Sequence, residues 1–433
     1  MINPNKTIII VITNLGADDL AIIAENLEHK DNILLLCDEA STEEYKPKGV
    51  SYLIDSFEDK EKILEKLRLW EEKSKKQFSG IVALDEEHHY SFSEAIAHEF
   101  SLPFYEKSTL DIASNKYLQR MKLKEAGICV PKFTIITEPI KNCQIIFPNV
   151  LKLITGYGSS LVYANHNIEE LEKNIKKLKG IAEKDPNRQV FDTHYTSLYE
   201  KKVFYPKEQF ILEEYIKGEE YSCDFLVEDD KASVVRVVKK ITNEKNFAFF
   251  EGMILFNPKS IKNPDFSLEE LQKICEKAAH AMGIDSGVCM MDFIFSNGKI
   301  TVIETTIRPG ISTFVDLMAH IYRSTSINKL IQQKLGLHVD TSIPEGIGLA
   351  VYFLSPRLGV LKNFDTSFLE KNKDKLGIIK IVKYYLIGER IKDEYPGQNM
   401  PALLGYALVK GVEIGLIQER INTIRNNVVL EIE

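Results

Sequence analysis

Two carboxylates interrupt neighbouring apolar segments in the second half of the sequence. Asp292 stands inside GVCMMDFIF (287–295), and Glu304 stands inside ITVIET (300–305). A buried carboxylate without a partner is costly, so such residues are retained where a cation or another partner meets them. Because Mg²⁺ takes oxygen ligands, two carboxylates on adjacent strands predict a magnesium site.

The turn between the two segments decides whether these carboxylates meet. An Asn-Gly turn of two residues would set Asp292 opposite Ile303 and leave Glu304 on the other face of the hairpin. A three-residue loop over 297–299 sets Asp292 opposite Glu304 instead. We predict the three-residue loop or an equivalent bulge, since only these bring both carboxylates to one face.

The same face continues beyond the second carboxylate. With a period of two residues, Thr306 and Arg308 follow Glu304 on that face, and Pro309-Gly310 comes next. An arginine at this point could hold an oxyanion or a substrate carboxylate with bidentate geometry, and the alternative is a surface ion pair.

A glycine-rich segment lies further upstream, in VLKLITGYGSSLV (150–162). Lys152 lies on the strand that enters it, and the glycines and serines suit a hairpin whose main-chain amides close over phosphate. A plain glycine-rich hairpin explains the pattern equally well. The GxxxxGK[ST] pattern of a P-loop is absent.

Charged residues cluster in two further places. LEEYIKGEEYSCD (212–224) is either an exposed acidic turn or a source of carboxylates for ribose hydroxyls. Lys239 and Lys240 could meet an anionic substrate or be solvated charges at a strand end. His88 and His89 are adjacent and would point apart, so a solvated loop is favoured over a metal site.

Composition narrows the class of protein. The 433 residues include 55 Lys plus Arg and 63 Asp plus Glu, a net charge of −8, and 44 % are hydrophobic. This balance excludes general disorder and disfavours a nucleic-acid binder. No apolar stretch approaches the roughly 18 residues of a membrane helix, and no signal peptide is apparent. Six cysteines without a C-x-x-C pair indicate reduced thiols, and we expect a cytoplasmic protein without a membrane partner.

The elements that must position these residues follow from periodicity. The first hundred residues predict a doubly wound α/β unit with three buried strands, at 7–13, 33–38 and 80–85. Its first turn, NLGADD, lacks the G-x-G-x-x-G fingerprint of a dinucleotide site. Residues 144–255 are rich in strand patterns, 184–209 are polar and form a candidate mobile loop, and 345–433 are mixed α/β.

The order of the motifs resembles the ATP-grasp superfamily, in its biotin-carboxylase-like branch. The resemblance is carried by SNKYLQRMKLKEAGICVPKF, VLKLITGYGSSLV, ILEEYIKGEEYSCDF and GVCMMDFIF–NGKITVIETTIRPG. It implies an α/β protein with an N-terminal domain over 1–105, an ATP-grasp domain over 106–338 with a lid lobe at about 140–215, and a mixed α/β C-terminal domain over 339–433.

The resemblance also implies roles for single residues around the nucleotide. Those expected at the phosphates are Lys116, Lys152, Gly156, Gly158 and Ser159. Those expected at adenine are Glu213, Glu214 and, through its backbone, Ile216. Glu220 corresponds to the carboxylate that binds the ribose.

The magnesium ligands implied by the resemblance are Asp292, Glu304 and Thr306, and Arg308 is expected near the transferred phosphoryl group. Two ligands depart from the family pattern. Asp292 stands where Glu is usual, and Thr306 stands where Asn is usual. A third departure, Leu153, replaces the proline that usually follows the strand lysine.

The implied activity is an ATP- and Mg²⁺-dependent carboxylate–amine ligase that works through an acyl phosphate. FFEGMILFNP (249–258), with Glu251 as a candidate substrate contact beside Arg308, resembles a region of amino-acid ligases. The implied partners are small carboxylate and amine substrates, and a homodimer is expected. Transfer to a carrier-protein thiol and a non-catalytic nucleotide-binding scaffold are the alternatives.

Overall fold

A computed structural model describes most of the chain. The described residues are 3–12, 15–39, 45–57, 59–84, 90–137, 145–156, 161–184, 195–197, 202–243, 246–261, 264–355, 357–392 and 401–433. Gly158, Ser159, His88, His89 and much of the segment 184–209 lie outside them.

The N-terminal part is a parallel sheet with helices. Its strands are β1 Lys6–Ile12, β2 Ile33–Asp38, β3 Ser51–Asp55 and β4 Gln77–Ala83. Its helices are α1 Ala17–Asn26, α2 Lys60–Ser74 and α3 Tyr90–Glu99. The strand order is β3-β2-β1-β4. Alternate residues of β1 belong to two different hydrophobic clusters, so both sheet faces are covered and the strand reads as an unbroken apolar run.

Two short helices follow, α4 Lys107–Ser114 and α5 Lys116–Glu125. The Asn115 side chain between them accepts hydrogen bonds from the amides of Tyr117 and Leu118, at 2.9 and 3.2 Å. This N-cap begins α5 at Lys116 and fixes the position of the lysine at the first helical residue.

A smaller antiparallel sheet comes next. Its strands are β5 Phe133–Ile136, β6 Asn149–Leu153, β7 Tyr163–Asn165 and, later in the chain, β10 Phe210–Glu214. Their order is β5-β10-β6-β7. Helix α6 Ile168–Lys184 packs on it through Leu171, Ile175 and Leu178. Within the segment expected to be irregular, β8 Tyr195–Ser197 and β9 Lys202–Phe204 form a small antiparallel pair.

The largest sheet has eight antiparallel strands. They are β11 Glu219–Glu228, β12 Lys231–Asn243, β13 Asn246–Leu255, β14 Gly287–Ser296, β15 Lys299–Thr306, β16 Gly348–Ser355, β18 Ile378–Lys383 and β19 Ala402–Lys410. Their order is β15-β14-β11-β12-β13-β16-β19-β18. The pairing of β13 with β16 therefore continues the central sheet into the C-terminal segment.

The remaining elements complete the C-terminal half. The helices are α7 Leu268–Met282, α8 Thr313–Tyr322, α9 Ser326–Lys334, α10 Ser367–Lys371, α11 Lys373–Leu376 and α12 Ile417–Asn426. The strands β17 Leu361–Asp365 and β20 Val429–Ile432 pair with each other. None of the helices in the described ranges is both long and apolar enough to cross a membrane.

The two faces of β11 differ in chemistry. Tyr221, Cys223 and Phe225 are buried in the main hydrophobic cluster, which includes Cys275 of α7. Glu220, Ser222 and Asp224 alternate with them and lie on the opposite face, together with Asp292 of β14, which pairs with Ser222.

The five cysteines in the described residues are free, and burial raises the pKa of the Cys37 thiol to about 12.

Candidate functional site

The hairpin of β14 and β15 places Asp292 opposite Glu304. Its turn is of the two-residue kind, because Ser296 pairs with Lys299. A bulge then shifts the ladder by one residue and leaves Ile303 without a partner in the register. The prediction of a three-residue loop is therefore wrong, whereas its alternative, an equivalent bulge, is confirmed, and the two carboxylates share one face.

A second bulge acts in the same way on the hairpin of β11 and β12. Counting back from the turn without a bulge would set Glu220 opposite Lys239. A register shift next to Asp224 instead pairs Tyr221 with Lys239, so that Lys240 comes to lie beside Glu220. The polar face of the sheet thus acquires a lysine that simple alternation would have placed on the other side.

Lys240 connects two of the carboxylates on this face. Its Nζ lies 2.7 Å from Glu220 Oε1 and 2.7 Å from Asp292 Oδ2, and the residue is only 6 % exposed. Burial alone would lower the pKa of Lys240, but the two carboxylates outweigh it and hold this pKa above the ordinary value. Of the two alternatives for this lysine, the solvated strand-end charge is therefore wrong.

Asp292 retains an unused acceptor. Its Oδ1 is buried and has no hydrogen-bond partner within the described part of the chain. A buried carboxylate oxygen left in this way is costly unless a cation meets it. The described residues contain no group of three or more His, Cys, Asp or Glu side chains placed to hold a metal ion. The donor set is nevertheless suitable for Mg²⁺, which is commonly bound by one or two carboxylates together with substrate phosphates.

Lys116 reaches the second carboxylate from α5. Its Nζ hydrogen-bonds the carbonyl oxygen of Gly156 at 2.5 Å and also contacts Glu304 Oε1. Its main-chain amide donates to Ile154 O at 2.8 Å, which ties the start of the helix to the end of β6. Burial would raise the pKa of Glu304, but the Lys116 ammonium, followed by Lys152, lowers it below the ordinary value.

Glu213 forms the centre of a buried charge cluster at the end of β10. Its two carboxylate oxygens contact Arg120 Nε and Lys152 Nζ, each at 2.6 Å. Although burial by itself would raise the pKa of Glu213, the two cations lower it to about 2. Sequence reasoning missed Arg120, although it lies four residues after Lys116 and hence on the same helical face.

The segment joining β10 to β11 runs along the same cavity. Glu214 Oε2 lies 3.8 Å from Lys132 Nζ, and Ile216 contributes to the cavity wall. Gly218 is required here, since a Cβ atom at this position would lie 2.5 Å from the carbonyl oxygen of Phe295. A glycine therefore lets this segment approach β14 closely.

These residues surround one cavity of about 640 Å³. Its wall includes Lys116, Lys152, Glu213, Lys240, Asp292 and Glu304. Gly156, Glu214 and Glu220 also line it, so the structure brings most of the expected nucleotide residues together. Helix α12 closes one side with Ile417, Gln418 and Ile421, a contribution for which the sequence provided no motif.

Thr306 and Arg308 lie next to this cavity but are not among its lining residues. Arg308 is 5 % exposed, its Nη1 donates to Pro309 O at 3.2 Å, and Thr306 Oγ1 donates to Arg308 O at 3.2 Å. The turn after Arg308 is held by a buried ion pair between Asp224 and Arg236. Asp224 Oδ1 accepts a hydrogen bond from the Gly310 amide at 3.1 Å and lies 2.6 Å from Arg236 Nη2.

Glu251, the candidate substrate contact, pairs with an arginine of the C-terminal helix. Its carboxylate lies 2.7 Å from Arg425 Nη1 of α12, and Arg425 Nη2 donates to the Glu251 carbonyl at 2.6 Å. The pair links β13 to the C-terminal helix, and Glu251 is not a lining residue of the cavity.

Residues 145–311 match the family described as ATP-grasp domain. Among solved structures, the chain is similar to an L-amino acid ligase from Bacillus licheniformis, with a TM-score of 0.77, 19 % identity and coverage of 100 % of both chains. It is also similar to the biotin carboxylase domain dimer of the Hydrogenobacter thermophilus 2-oxoglutarate carboxylase, in complex with MgADP, ADP and bicarbonate. That match has a TM-score of 0.66 and 14 % identity and covers 98 % of this chain and 90 % of that chain. No curated protein matches the sequence. The family match and the structural similarity confirm the predicted mixed α/β architecture with an ATP-grasp fold.

Proposed function

We propose that this chain, whose residues 145–311 match the ATP-grasp domain family, is an ATP-dependent carboxylate–amine ligase acting on small amino-acid-like substrates. The observation that carries the proposal is the cavity lined by Lys116 and Lys152 together with Asp292 and Glu304. Two ammonium groups beside two carboxylates suit a polyphosphate that arrives with a divalent cation.

Different residues of the chain are proposed to bind the phosphates, the adenine and the ribose of the nucleotide. Lys116 and Lys152 are proposed to neutralise phosphate charge, with Gly156, Gly158 and Ser159 as further phosphate contacts. Glu213, Glu214 and the Ile216 backbone form the adenine side, and Glu220 is proposed to accept hydrogen bonds from the ribose. Glu220 must then give up part of its contact with Lys240, which lies 2.7 Å away.

Asp292 and Glu304 would hold Mg²⁺, with Thr306 as a further oxygen ligand. The unpartnered Oδ1 of Asp292 supports this assignment, since it is an acceptor that the described chain does not use. When bound, Mg²⁺ neutralises phosphate charge and thereby makes the terminal phosphorus easier to attack.

The reaction we propose has two steps. A substrate carboxylate oxygen attacks the γ-phosphorus and the bond to the β-phosphate oxygen breaks, which forms an acyl phosphate and releases ADP. The amine nitrogen then attacks the acyl carbon, the bond from that carbon to the phosphate oxygen breaks and inorganic phosphate leaves, and the amine proton passes to that phosphate or to solvent. Arg308 would stabilise the transferred phosphoryl group or hold the substrate carboxylate. Segments 155–160 and 184–209 would exclude water from the acyl phosphate.

ADP release across pairs of amino acids tests the proposal. We expect turnover with at least one pair and an amide product by mass spectrometry, with Asp292→Ala and Glu304→Ala both folded and inactive. Release only when a carrier protein is supplied would favour transfer to its thiol. ATP binding without turnover on any pair would favour the non-catalytic scaffold, and full activity in both variants would refute the assigned metal ligands.

The proposal also covers the domain division, the cellular location and the oligomeric state. We propose the division into 1–105, 106–338 and 339–433, a cytoplasmic location and a homodimer. A dimer is described for the biotin carboxylase domain from Hydrogenobacter thermophilus. Light scattering of the purified protein decides the oligomeric state, and a single-subunit mass would overturn that part.

A further inference from the structure

Lys240 lies between two carboxylates on the polar face of the large sheet. Its ammonium lies within hydrogen-bonding distance of a carboxylate from each of two strands, Glu220 of β11 and Asp292 of β14, at 2.7 Å in both cases. The side chain is 6 % exposed, and its Nζ lies 5.3 Å from the centre of the Phe250 ring. The lysine is thus enclosed, and its charge is compensated by the two carboxylates.

This arrangement places a fixed positive charge on a carboxylate proposed as a metal ligand. Asp292 Oδ2 is already engaged by Lys240, while Oδ1 of the same carboxylate is the oxygen without a hydrogen-bond partner. A divalent cation at Asp292 would therefore meet an ammonium attached to the same carboxylate, and like charges at such short range repel strongly in a buried site.

The second partner of Lys240 connects the lysine to the nucleotide. Glu220 is the carboxylate proposed for the ribose, so a bound nucleotide would compete for the oxygen that now contacts Lys240. Its phosphates would at the same time offer the ammonium a new, negatively charged partner. Nucleotide binding therefore weakens both contacts that hold Lys240 in place.

We infer that Lys240 competes with the divalent cation for Asp292 in the nucleotide-free protein, so that cation binding is coupled to nucleotide binding. The inference rests on the proposed nucleotide and magnesium site. It assigns Lys240 a specific role: the ammonium compensates the charge of Asp292 until the nucleotide draws the ammonium away.

Mn²⁺ binding to the nucleotide-free, full-length protein tests the inference without any substrate, since free Mn²⁺ is measured directly by its paramagnetic resonance signal. We expect Lys240→Met to bind Mn²⁺ more tightly than the unchanged protein, on the order of tenfold. Lys240→Arg keeps a positively charged side chain near Asp292 and should bind Mn²⁺ as weakly as the unchanged protein does. Equal or weaker Mn²⁺ binding by Lys240→Met would overturn the inference.

Lys239→Met is the matched control. It removes the same charge one residue away, but Lys239 Nζ pairs with Glu219, 2.8 Å away, and not with Asp292. We expect its Mn²⁺ affinity to remain that of the unchanged protein. An equal gain in Lys239→Met would show that net charge alone is responsible and would also overturn the inference.

Stability provides a second readout if Lys240→Met folds poorly. Two carboxylates then lose their counter-ion, so Mn²⁺ should raise the melting temperature of this variant more than that of the unchanged protein. An equal rise would contradict competition at Asp292.

Mn²⁺ titration with ADP present separates this inference from the proposed function. If the protein captures no more Mn²⁺ with ADP than ADP binds alone, the proposed metal site fails. The other outcome is that the protein with ADP captures the extra Mn²⁺, while Lys240→Met without nucleotide binds Mn²⁺ no more tightly than the unchanged protein. In that case only the inferred competition by Lys240 fails, and the proposed metal site stands.

Discussion

The carboxylate of Asp224 on β11 accepts a hydrogen bond from the main-chain amide of Gly310, 86 residues further along the chain, at 3.1 Å. The same oxygen lies 2.6 Å from Arg236 Nη2, and both charged side chains are fully buried. The contact ties the turn that carries Arg308 to the centre of the large sheet. The position of Arg308 therefore depends on a buried ion pair that does not itself line the cavity.

We predict that Asp224→Ala lowers the free energy of unfolding by about 3–5 kcal/mol, because it leaves the Arg236 guanidinium buried without its counter-ion. Urea denaturation followed by circular dichroism measures the change. Glu269→Ala removes an exposed pair with Lys273 on α7 and should leave the unfolding midpoint almost unchanged. A loss no larger in Asp224→Ala than in this control would contradict the prediction.

We predict that Gly310→Ala lowers kcat for ADP release while the protein remains folded. A Cβ atom at this position would lie 2.9 Å from Arg236 Nη2 and 3.0 Å from a ring carbon of Phe314. Because Arg236 is buried and held by Asp224, we expect the turn carrying Arg308 to shift. Gly180→Ala on α6 is the control, since a Cβ there meets nothing within 4 Å. Unchanged kcat in Gly310→Ala, with substrates found by the amino-acid screen, would show that the turn does not position Arg308.

The polar face shows which parts of the site could be predicted. The chemistry of two carboxylates inside apolar strands was enough to expect Asp292 and Glu304 on one face, because on one face they can share a cation. The bulge beside Asp224 gives no such signal, so Lys240 could not be assigned to that face. Turn residues predict a hairpin and its starting register, whereas a bulge changes the register inside the strand.

Contacts between residues far apart in the sequence are the second feature that could not be predicted. Arg120 and Glu213 are separated by 93 residues, and their contact depends on how α5 packs against β10. Periodicity identifies the buried face of each element but not which buried faces meet. The strands of the N-terminal sheet were predictable from apolar runs, except β3, an edge strand whose first residues, Ser51 and Tyr52, are exposed.

Lys152→Met should weaken ADP binding by roughly 1.5–3 kcal/mol, the usual contribution of a hydrogen bond to a charged group. Lys152 lines the cavity and lies 2.6 Å from Glu213 Oε2, whereas Lys132 is largely exposed and 3.8 Å from Glu214. Isothermal titration calorimetry with ADP compares Lys152→Met with Lys132→Met. Equal affinities in the two variants would remove Lys152 from the proposed phosphate site.

Glu213 should make the stability of the protein depend on acid pH. Its pKa is lowered from 4.5 to about 2 by Arg120 and Lys152, against the opposing effect of burial. A carboxylate whose pKa is lower in the folded state stabilises the protein fully above its unfolded pKa and loses that contribution as the pH falls through the folded value. The shift corresponds to roughly 3 kcal/mol at neutral pH.

We therefore expect the free energy of unfolding to fall between about pH 5 and pH 2, with a shallower fall in Glu213→Gln, which has no proton to gain there. Urea titrations at several pH values measure both slopes. Glu214→Gln changes the neighbouring residue, whose side chain is 36 % exposed and faces Lys132 at 3.8 Å, and should keep the slope of the unchanged protein. If Glu213→Gln keeps that slope as well, the acid sensitivity comes from other carboxylates and the buried cluster does not lower the pKa of Glu213 as described.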